Sequence, residues 1–216
     1  MIKALLLDLD GTLLDDEAAW LAGTKAFYEA HADYLKQESF EEFLQRGRDI
    51  ARRHWSRYVA GELDFIGHQR ERAREALGVK LSDAMADEAF DFHRAAYRQS
   101  CRCFDDVAAF LHGTKGLRKI AVTNAHRIPQ RAKMESAGLL ADIPDLVTPE
   151  DVGVWKPEPA IFHHALAKLD MEPHEALMVG DDYACDIVGA ERVGMKAFWV
   201  RRGINDLSGA LALLNE

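Results

Sequence analysis

The chain has 216 residues, of which 48% are hydrophobic, and a formal net charge of -9. This length and apolar content suffice for a sizeable core and exclude a disordered chain. The acidic balance argues against nucleic acid or an anionic membrane as partner, because neutralising phosphates needs a basic surface. No apolar run reaches the length of about 18 residues that a membrane span needs. Three cysteines without the paired spacing of a zinc site favour a reducing compartment, so we expect a soluble, cytoplasmic protein.

The first predicted strand covers the apolar run at 2–7 and leads directly into Asp8-Leu9-Asp10-Gly11-Thr12. Alternate side chains of an extended strand share a face, so Asp8 and Asp10 are predicted to point into one pocket while Gly11 lets the chain turn sharply. Paired carboxylates can hold a divalent cation and divide the chemistry, one attacking and the other moving a proton.

Residues 16–104 are predicted to be entirely helical, because they show successive helical patterns and no convincing β-branched run. Ser39 followed by Glu42 is typical of a capping box that opens one helix. Further helices are expected near 66–77, before Gly78, and over 83–97. In the last of these we expect the face that carries Met85, Ala89, Phe92 and Ala96 to be buried.

The remainder, 1–15 with 105–216, alternates short apolar runs with helical patterns. Further strands are predicted at 120–122, 146–147, 177–179 and 197–200, and helices at 107–111, 130–137, 160–169 and 187–193. Gly138 and Gly194 stand where helices commonly end in a left-handed residue. This alternation predicts an α/β fold, a doubly wound parallel sheet, into which the helical segment is inserted.

Two further motifs follow strand ends. Thr123 and Asn124 come after the second predicted strand, where a threonine hydroxyl can donate to a phosphate oxygen, although the pair is also an ordinary start of a turn. Lys156 precedes Pro157, which holds it out of helical geometry at the head of the next helix. A lysine placed in this way is a point charge for phosphate, and the alternative is a solvated loop lysine.

The last motif runs from Gly180 to Asp186 after a buried strand. The Asp181 carboxylate could meet a hard cation together with that of Asp8. Asp186 could complement a helix dipole, bind metal-bound water or pair with Lys156. Helix capping is the structural alternative, and Asp182 is the acid best placed for it.

These four motifs, in this order, resemble those of the haloacid dehalogenase-like hydrolase superfamily. The stretch 153–162 is similar to the corresponding segment of the subfamily that includes phosphoglycolate phosphatase, N-acylneuraminate 9-phosphatase and some nucleotidases. The resemblance implies a Rossmann-like core with a helical cap between the first and second motifs. Ala125 departs from the glycine that many relatives have after the asparagine of the second motif.

The resemblance also implies a mechanism. Asp8 would attack phosphorus to form an aspartyl-phosphate, and Asp10 would act as general acid and then as general base. Mg²⁺ would be held by Asp8, the backbone carbonyl of Asp10 and Asp181. The expected substrate is a small soluble phosphate monoester.

Phosphoryl oxygens would be bound by Thr123, Lys156 and backbone amides around Leu9 and Asn124. Asp186, and Asp182 less directly, would orient Lys156 or a metal-bound water. The expected partner is thus a phosphorylated metabolite rather than nucleic acid or membrane.

Several other functions fit the motifs less well. A phosphomutase or phosphotransferase would share Asp8 and Asp10, and Thr12 favours hydrolysis because sugar phosphomutases often have valine there. Dehalogenases replace the second aspartate, so Asp10 argues against that activity. A receiver domain has its acids, threonine and lysine in another order and lacks so large an insert. A non-catalytic phosphate-binding protein remains the least favoured alternative.

The helical segment contains a local excess of basic residues. Between 46 and 75 it has eight arginines, at 46, 48, 52, 53, 57, 70, 72 and 74, against five acids, at 49, 62, 64, 71 and 75. One hypothesis is that an arginine selects a substrate with a second anionic group. The alternative is a solvated face of ion pairs, which the nearness of Arg72 and Arg74 to Glu71 and Glu75 favours.

Overall fold

The computed structural model of the protein describes residues 1–214. Its strands are β1 (Ala4–Leu7), β2 (Arg118–Val122), β3 (Asp145–Val147), β4 (Ala176–Gly180) and β5 (Lys196–Trp199). Its α-helices are α1 (Asp16–Ala30), α2 (Ala32–Leu35), α3 (Phe40–Val59), α4 (Phe65–Leu77), α5 (Asp83–Ser100), α6 (Val107–Gly113), α7 (Arg127–Ser136), α8 (Pro149–Val152), α9 (Pro159–Leu169), α10 (Gly189–Arg192) and α11 (Leu207–Leu214). Short 3₁₀ helices cover Leu139–Ala141 and Pro173–Glu175, and a π-helix covers Tyr183–Val188. Among the described helices, none combines the length and the apolar character needed to cross a membrane.

The chain forms two compact units. One consists of Met1–Asp16 together with the chain from Cys101 onward, and the other is Glu17–Ser100. We refer to them as the core and the cap. The division falls after Asp16 and before Cys101, where the sequence had indicated boundaries at 15/16 and 104/105.

The core contains a parallel sheet with the strand order β3-β2-β1-β4-β5. Ala4 of β1 pairs with Arg118 of β2 on one side and with Ala176 of β4 on the other. The order of connection reverses beside β1, so the carboxyl ends of β1 and β4 flank a topological switch point, where open α/β sheets form a crevice. The predicted α/β class with a parallel sheet and flanking helices is confirmed.

β1 and β4 are buried on both faces, which explains why they appear in the sequence as continuous apolar runs. Leu6 and Met178 point to one face and pack with Phe162 and Leu166 of α9. Leu5, on the opposite face of β1, is also fully buried. Pairing with β2 and β4 on its two sides defines the register of β1 and therefore the position of the residues that follow it.

The cap is helical at every element between Glu17 and Ser100. Its core includes Phe27, Phe43, Ala73 and Phe90, contributed by α1, α3, α4 and α5. The expected capping box opens α3, since the Ser39 amide donates to Glu42 Oε2 (2.9 Å) and the Glu42 amide donates to Ser39 Oγ (3.3 Å). Gly78 ends α4 with a φ of 66°, a left-handed conformation that glycine adopts at little cost.

The expected buried face of α5 is correct at Ala89, which is buried, and wrong at Met85 and Phe92. Met85 and Phe92 are 52% and 50% exposed, whereas Ala86, Phe90 and His93 face the interior. The buried face lies one position further along the helix than the apolar pattern suggested. Because that face includes a histidine, hydrophobic periodicity alone discounts it.

Candidate active site

Asp8 is the first residue after β1, at the carboxyl edge of the sheet. Its amide donates to the Val179 carbonyl (2.9 Å), so the backbone stays paired with β4 up to this point. The Asp8 side chain is buried, and its Oδ1 accepts from Lys156 Nζ (2.6 Å). Its Oδ2 accepts from the Thr12 hydroxyl (3.2 Å), which also lies 3.1 Å from Asp181 Oδ1. The Lys156 ammonium and the Thr12 hydroxyl therefore fix the Asp8 carboxylate in place.

Lys156 is buried and makes three hydrogen bonds through Nζ. Besides Asp8 it donates to Asp186 Oδ1 (2.6 Å) and to the Val122 carbonyl (2.8 Å). Asn124 fixes the Lys156 backbone, because its Oδ1 accepts from the Lys156 amide (2.7 Å) and its Nδ2 donates to the Lys156 carbonyl (3.0 Å). The solvated-loop alternative for Lys156 is thus wrong. Burial disfavours its charge, but the Asp186 and Asp8 carboxylates outweigh that effect and raise its pKa.

Three carboxylates converge at this edge. Oxygen atoms of Asp8, Asp181 and Asp186 all lie within 4.8 Å of one another. Two glycines permit this crowding. A Cβ on Gly11, whose φ is 77°, would collide with the Asp181 carboxylate, and a Cβ on Gly180 would collide with that of Asp186.

The two remaining acids of the last motif have different environments. Asp182 Oδ1 accepts from the amides of Ala184 and Cys185, each at 2.9 Å, so it caps the π-helix. Asp186 is fully buried, and its Oδ2 accepts from the Asp182 amide (3.0 Å) while its Oδ1 pairs with Lys156. Asp186, rather than Asp182, joins the acidic cluster.

Asp10 has two partners that the sequence analysis missed. Lys133 Nζ lies 2.7 Å from Asp10 Oδ1 and 2.9 Å from Oδ2, and Gln130 Nε2 donates to Oδ2 (2.5 Å). Both residues lie on α7, three positions apart, which places them on one helix face. That polar i,i+3 pair on the helix after the second motif is the signal that could have revealed them.

The other candidate phosphate ligands surround the same edge of the sheet. Thr123 is buried, and its hydroxyl accepts from the Ala125 amide (3.1 Å) and lies 3.4 Å from Gln130 Nε2. The Leu9 carbonyl accepts from the amide of Leu13 (2.8 Å), among others, and so shapes the tight turn that carries Asp10. Leu9 itself is buried, so its side chain anchors this turn.

The electrostatics show an excess of negative charge. Burial raises the pKa of Asp8 to about 7, although the Lys156 charge opposes the shift. Burial and the nearby Asp8 charge raise the pKa of Asp181 to about 6. Asp16 is half-buried, and desolvation together with the charge of Asp10 raises its pKa to about 7. The lysines do not neutralise all of these acids.

This donor set fits a hard divalent cation. Carboxylate oxygens are the ligands that Mg²⁺ prefers, and it is commonly bound by one or two of them. Asp8 and Asp181 lie close enough to share an ion, and a cation there would favour the charged forms that burial penalises. The acids of the site thus suit Mg²⁺ by chemistry and by charge.

Comparisons with known proteins agree with this architecture. The family model for haloacid dehalogenase-like hydrolases matches residues 2–194. The chain belongs to this family. It is 32% identical to a phosphoserine phosphatase from Thermus thermophilus, with 94% of this chain and 90% of that protein covered. It is 31% identical to a ribulose-1,5-bisphosphate 5-phosphatase from Halopiger xanaduensis, with 91% and 83% covered.

Solved structures of the family show the same fold. The hydrolase YfnB from Bacillus subtilis, whose crystal structure is bound to magnesium, superposes with a TM-score of 0.81 at 19% identity and covers 100% of this chain and 99% of its own. A phosphatase of the family from Thermococcus onnurineus superposes with a TM-score of 0.66 at 26% identity, with 99% and 98% covered. The predicted Rossmann-like core with a helical cap is confirmed.

Proposed function

We propose that this protein is a Mg²⁺-dependent phosphatase that hydrolyses a small phosphate monoester through an aspartyl-phosphate on Asp8. The observation that carries the proposal is the arrangement of Asp8 between the Lys156 ammonium (2.6 Å) and the Thr12 hydroxyl (3.2 Å) at the switch point of the sheet. A buried carboxylate fixed in this way can attack a bound phosphoryl group without reorganising.

In the first step an Asp8 carboxylate oxygen forms a bond to phosphorus while the bond from phosphorus to the ester oxygen breaks. The bonding electrons leave with the alcohol oxygen, which takes a proton from Asp10. In the second step Asp10 removes a proton from water, and the water oxygen attacks phosphorus. The bond to Asp8 then breaks, which restores its carboxylate and releases inorganic phosphate.

The remaining residues would stabilise charge on the transferring group. Lys156 and the Thr123 hydroxyl would bind phosphoryl oxygens, together with amides near Leu9 and Asn124. Mg²⁺, held by Asp8, the Asp10 carbonyl and Asp181, would supply positive charge that lets a phosphate dianion approach an acidic pocket. Asp186 would keep Lys156 charged and oriented through their 2.6 Å contact.

Relatives support the general class of substrate. Those most relevant are named for phosphoserine, ribulose 1,5-bisphosphate and glyceraldehyde 3-phosphate, all small phosphate esters. We infer that this protein acts on a metabolite of similar size.

The proposal is tested by release of inorganic phosphate from a panel of phosphorylated metabolites, for the wild-type protein and for Asp8→Asn. The variant should fold normally and lose turnover, because the near-isosteric amide cannot act as the nucleophile. Acid quenching during turnover followed by borohydride reduction should convert the acyl phosphate at position 8 to homoserine, which mass spectrometry detects. Undiminished phosphate release by a folded Asp8→Asn protein would contradict the mechanism.

A further inference from the structure

The arginines of the basic segment 46–75 fall into two groups. Those that flank an acid form ion pairs, among them Arg46 with Glu38 (2.5 Å) and Arg74 with Glu71 (2.7 Å). The other paired arginines of the basic segment are Arg48, Arg52, Arg53, Arg57 and Arg70. For these residues the solvated ion-pair interpretation is correct, and none of them is free to bind an anion without losing a partner.

Arg72 differs from all of them. Within residues 1–214 no carboxylate lies within ion-pair distance of its guanidinium, so the expected pairing with Glu71 or Glu75 is wrong. The guanidinium instead stands over the ring of Phe90, 4.8 Å from the centroid. Burial lowers the pKa of Arg72 to about 10, so the charge is retained at a cost that a bound anion would relieve.

Arg72 lines a cavity inside the cap. The cavity measures about 30 Å³, which is room for about two water molecules or one carboxylate group. Its walls are mostly aromatic and aliphatic: Trp20, Phe27, Phe43, Ile50 and Phe90. This volume is far below the roughly 300–1,000 Å³ of a typical small-molecule site, so the cavity suits only a small terminal group of a ligand.

A second polar group lines the same cavity. His93 is 7% exposed, its ring stacks on Phe90 with centroids 4.8 Å apart, and its Nε2 has no hydrogen-bond partner in the described chain. Burial and the neighbouring Arg72 charge lower the pKa of His93, so the ring is neutral and can donate from one nitrogen. Gly23 packs closely on this ring and holds it in place.

We infer that the cap cavity is a binding site for the carboxylate of a small organic acid, with Arg72 as the bidentate donor and His93 as the second donor. A guanidinium matches the planar geometry of a carboxylate and can donate two parallel hydrogen bonds to it. The volume excludes a large ligand group. The carboxylate could belong to a free acid or to the phosphate ester itself.

Binding is tested directly with sodium propionate and its uncharged isostere propionamide, by saturation-transfer NMR on the full chain. Propionate should bind and propionamide should not. Arg72→Met should weaken propionate binding by about 10-fold or more, since it removes a charged hydrogen-bond donor. The matched control is Arg52→Met, because Arg52 is an exposed arginine of the same unit paired with Asp49 and outside the cavity.

A second variant tests the cavity without changing a charge. Gly47 lines it, and the nearest atom to an added Cβ would be Thr24 Cγ2 at 3.9 Å, so Gly47→Leu can fill the space from within α3. Loss of propionate binding in Gly47→Leu and Arg72→Met, with retention in Arg52→Met, is the expected result. Equal binding of propionate and propionamide, or unchanged propionate binding by Arg72→Met, would overturn the inference.

The source of the carboxylate is distinguished by phosphoserine and phosphoethanolamine, which differ only by that group. This arm rests on the proposed phosphatase function, whereas the binding arm does not. If the substrate supplies the carboxylate, Arg72→Met raises KM for phosphoserine alone. If a free acid is the ligand, propionate changes turnover of both esters equally and Arg72→Met removes that effect. A third result is that the KM for phosphoserine and the effect of propionate on turnover are both unchanged, while Arg72→Met still weakens propionate binding. The site then binds a free acid without an effect on hydrolysis.

Discussion

The core and the cap both contain titratable groups whose charged forms burial disfavours, but these groups are acids in the core and bases in the cap. At the end of β1 the crowded groups are acids, and burial raises the pKa values of Asp8 and Asp181. Inside the cap the crowded groups are bases, and burial lowers the pKa values of His68 and Arg72. In both places desolvation acts against the charged form, and a ligand of opposite charge would restore it. We therefore use buried groups whose charge lacks a full complement of partners to choose the candidate ligand site of each unit.

Removal of the metal ion from the acidic site of the core should have the largest effect on activity. After exhaustive chelation we expect phosphate release to fall to background and to return with added Mg²⁺. Ca²⁺ should inhibit, because the larger ion accepts more ligands and could engage both Asp8 oxygens, which leaves none free to attack. The measurement is initial rate against metal concentration. Full activity in the chelated protein would show that the acids at the end of β1 do not act by holding a metal ion.

Asp10→Asn should be the next largest effect. A positioned proton donor and acceptor typically contributes about 10² to 10⁴-fold to the rate, and the amide can neither donate the required proton nor remove one from water. The loss in kcat should be greatest for esters with poor leaving groups. Asp170→Asn, in a left-handed position that asparagine tolerates, serves as the control. Wild-type kcat for Asp10→Asn on an alkyl phosphate would assign the proton transfer elsewhere.

Lys133→Met should have a smaller effect through Asp10. Lys133 contacts both Asp10 oxygens, at 2.7 and 2.9 Å, and fixes the direction in which that carboxylate points. A charged hydrogen bond contributes about 1.5–3 kcal/mol, so we expect kcat for an alkyl phosphate to fall by about 10-fold or more.

An aryl phosphate, whose leaving group needs little protonation, separates positioning of Asp10 from general damage to the site. Its turnover should fall less than that of the alkyl phosphate. The exposed Lys168 of α9 provides the matched control as Lys168→Met. Equal losses on both esters would mean that Lys133 supports the fold and not the proton transfer.

The sequence predicts the strand ends that carry the site better than it predicts the side-chain contacts within the site. The strand ends that carry Asp8, Thr123 and Asp181 are predictable because parallel strands buried on both faces appear as apolar runs. The i,i+3 spacing of Gln130 and Lys133 marks them as a polar pair on one face of α7, but it does not identify their partner Asp10, which lies more than a hundred positions away. Local patterns carry no record of such a pairing.

The same limit applies to the cap. The capping box at Ser39 and the left-handed Gly78 are local signals, and both agree with the structure. Arg72 looked like an ordinary partner of Glu71 because spacing along a helix cannot show that the side chain turns inward onto Phe90. His93 was overlooked because a polar residue on a buried face contradicts the periodicity used to find that face.

The smallest expected effect concerns the basic interior of the cap. His68 is 3% exposed and packs among the rings of Trp55, Tyr58 and Phe65. Burial, helped by the Arg72 charge, lowers the pKa of His68 to about 4. Between that value and the usual pKa near 6.5 the unfolded chain binds more protons than the folded protein, so the free energy of unfolding decreases as the pH falls.

We therefore expect the free energy of unfolding in urea to decrease less for His68→Phe than for the wild type when the pH falls from 7.5 to 5. Each pKa unit corresponds to about 1.4 kcal/mol, so the difference between the two proteins should approach about 2 kcal/mol. The core acids, whose raised pKa values give the opposite slope, are present in both proteins and cancel. His174→Phe, at an exposed position, should leave the wild-type slope unchanged. The free energy of unfolding of His68→Phe and of the wild type could instead change equally with pH. Protonation of His68 would then carry no penalty in the folded cap, which would contradict the view that the cap interior disfavours positive charge and would weaken the inference of an anion site there.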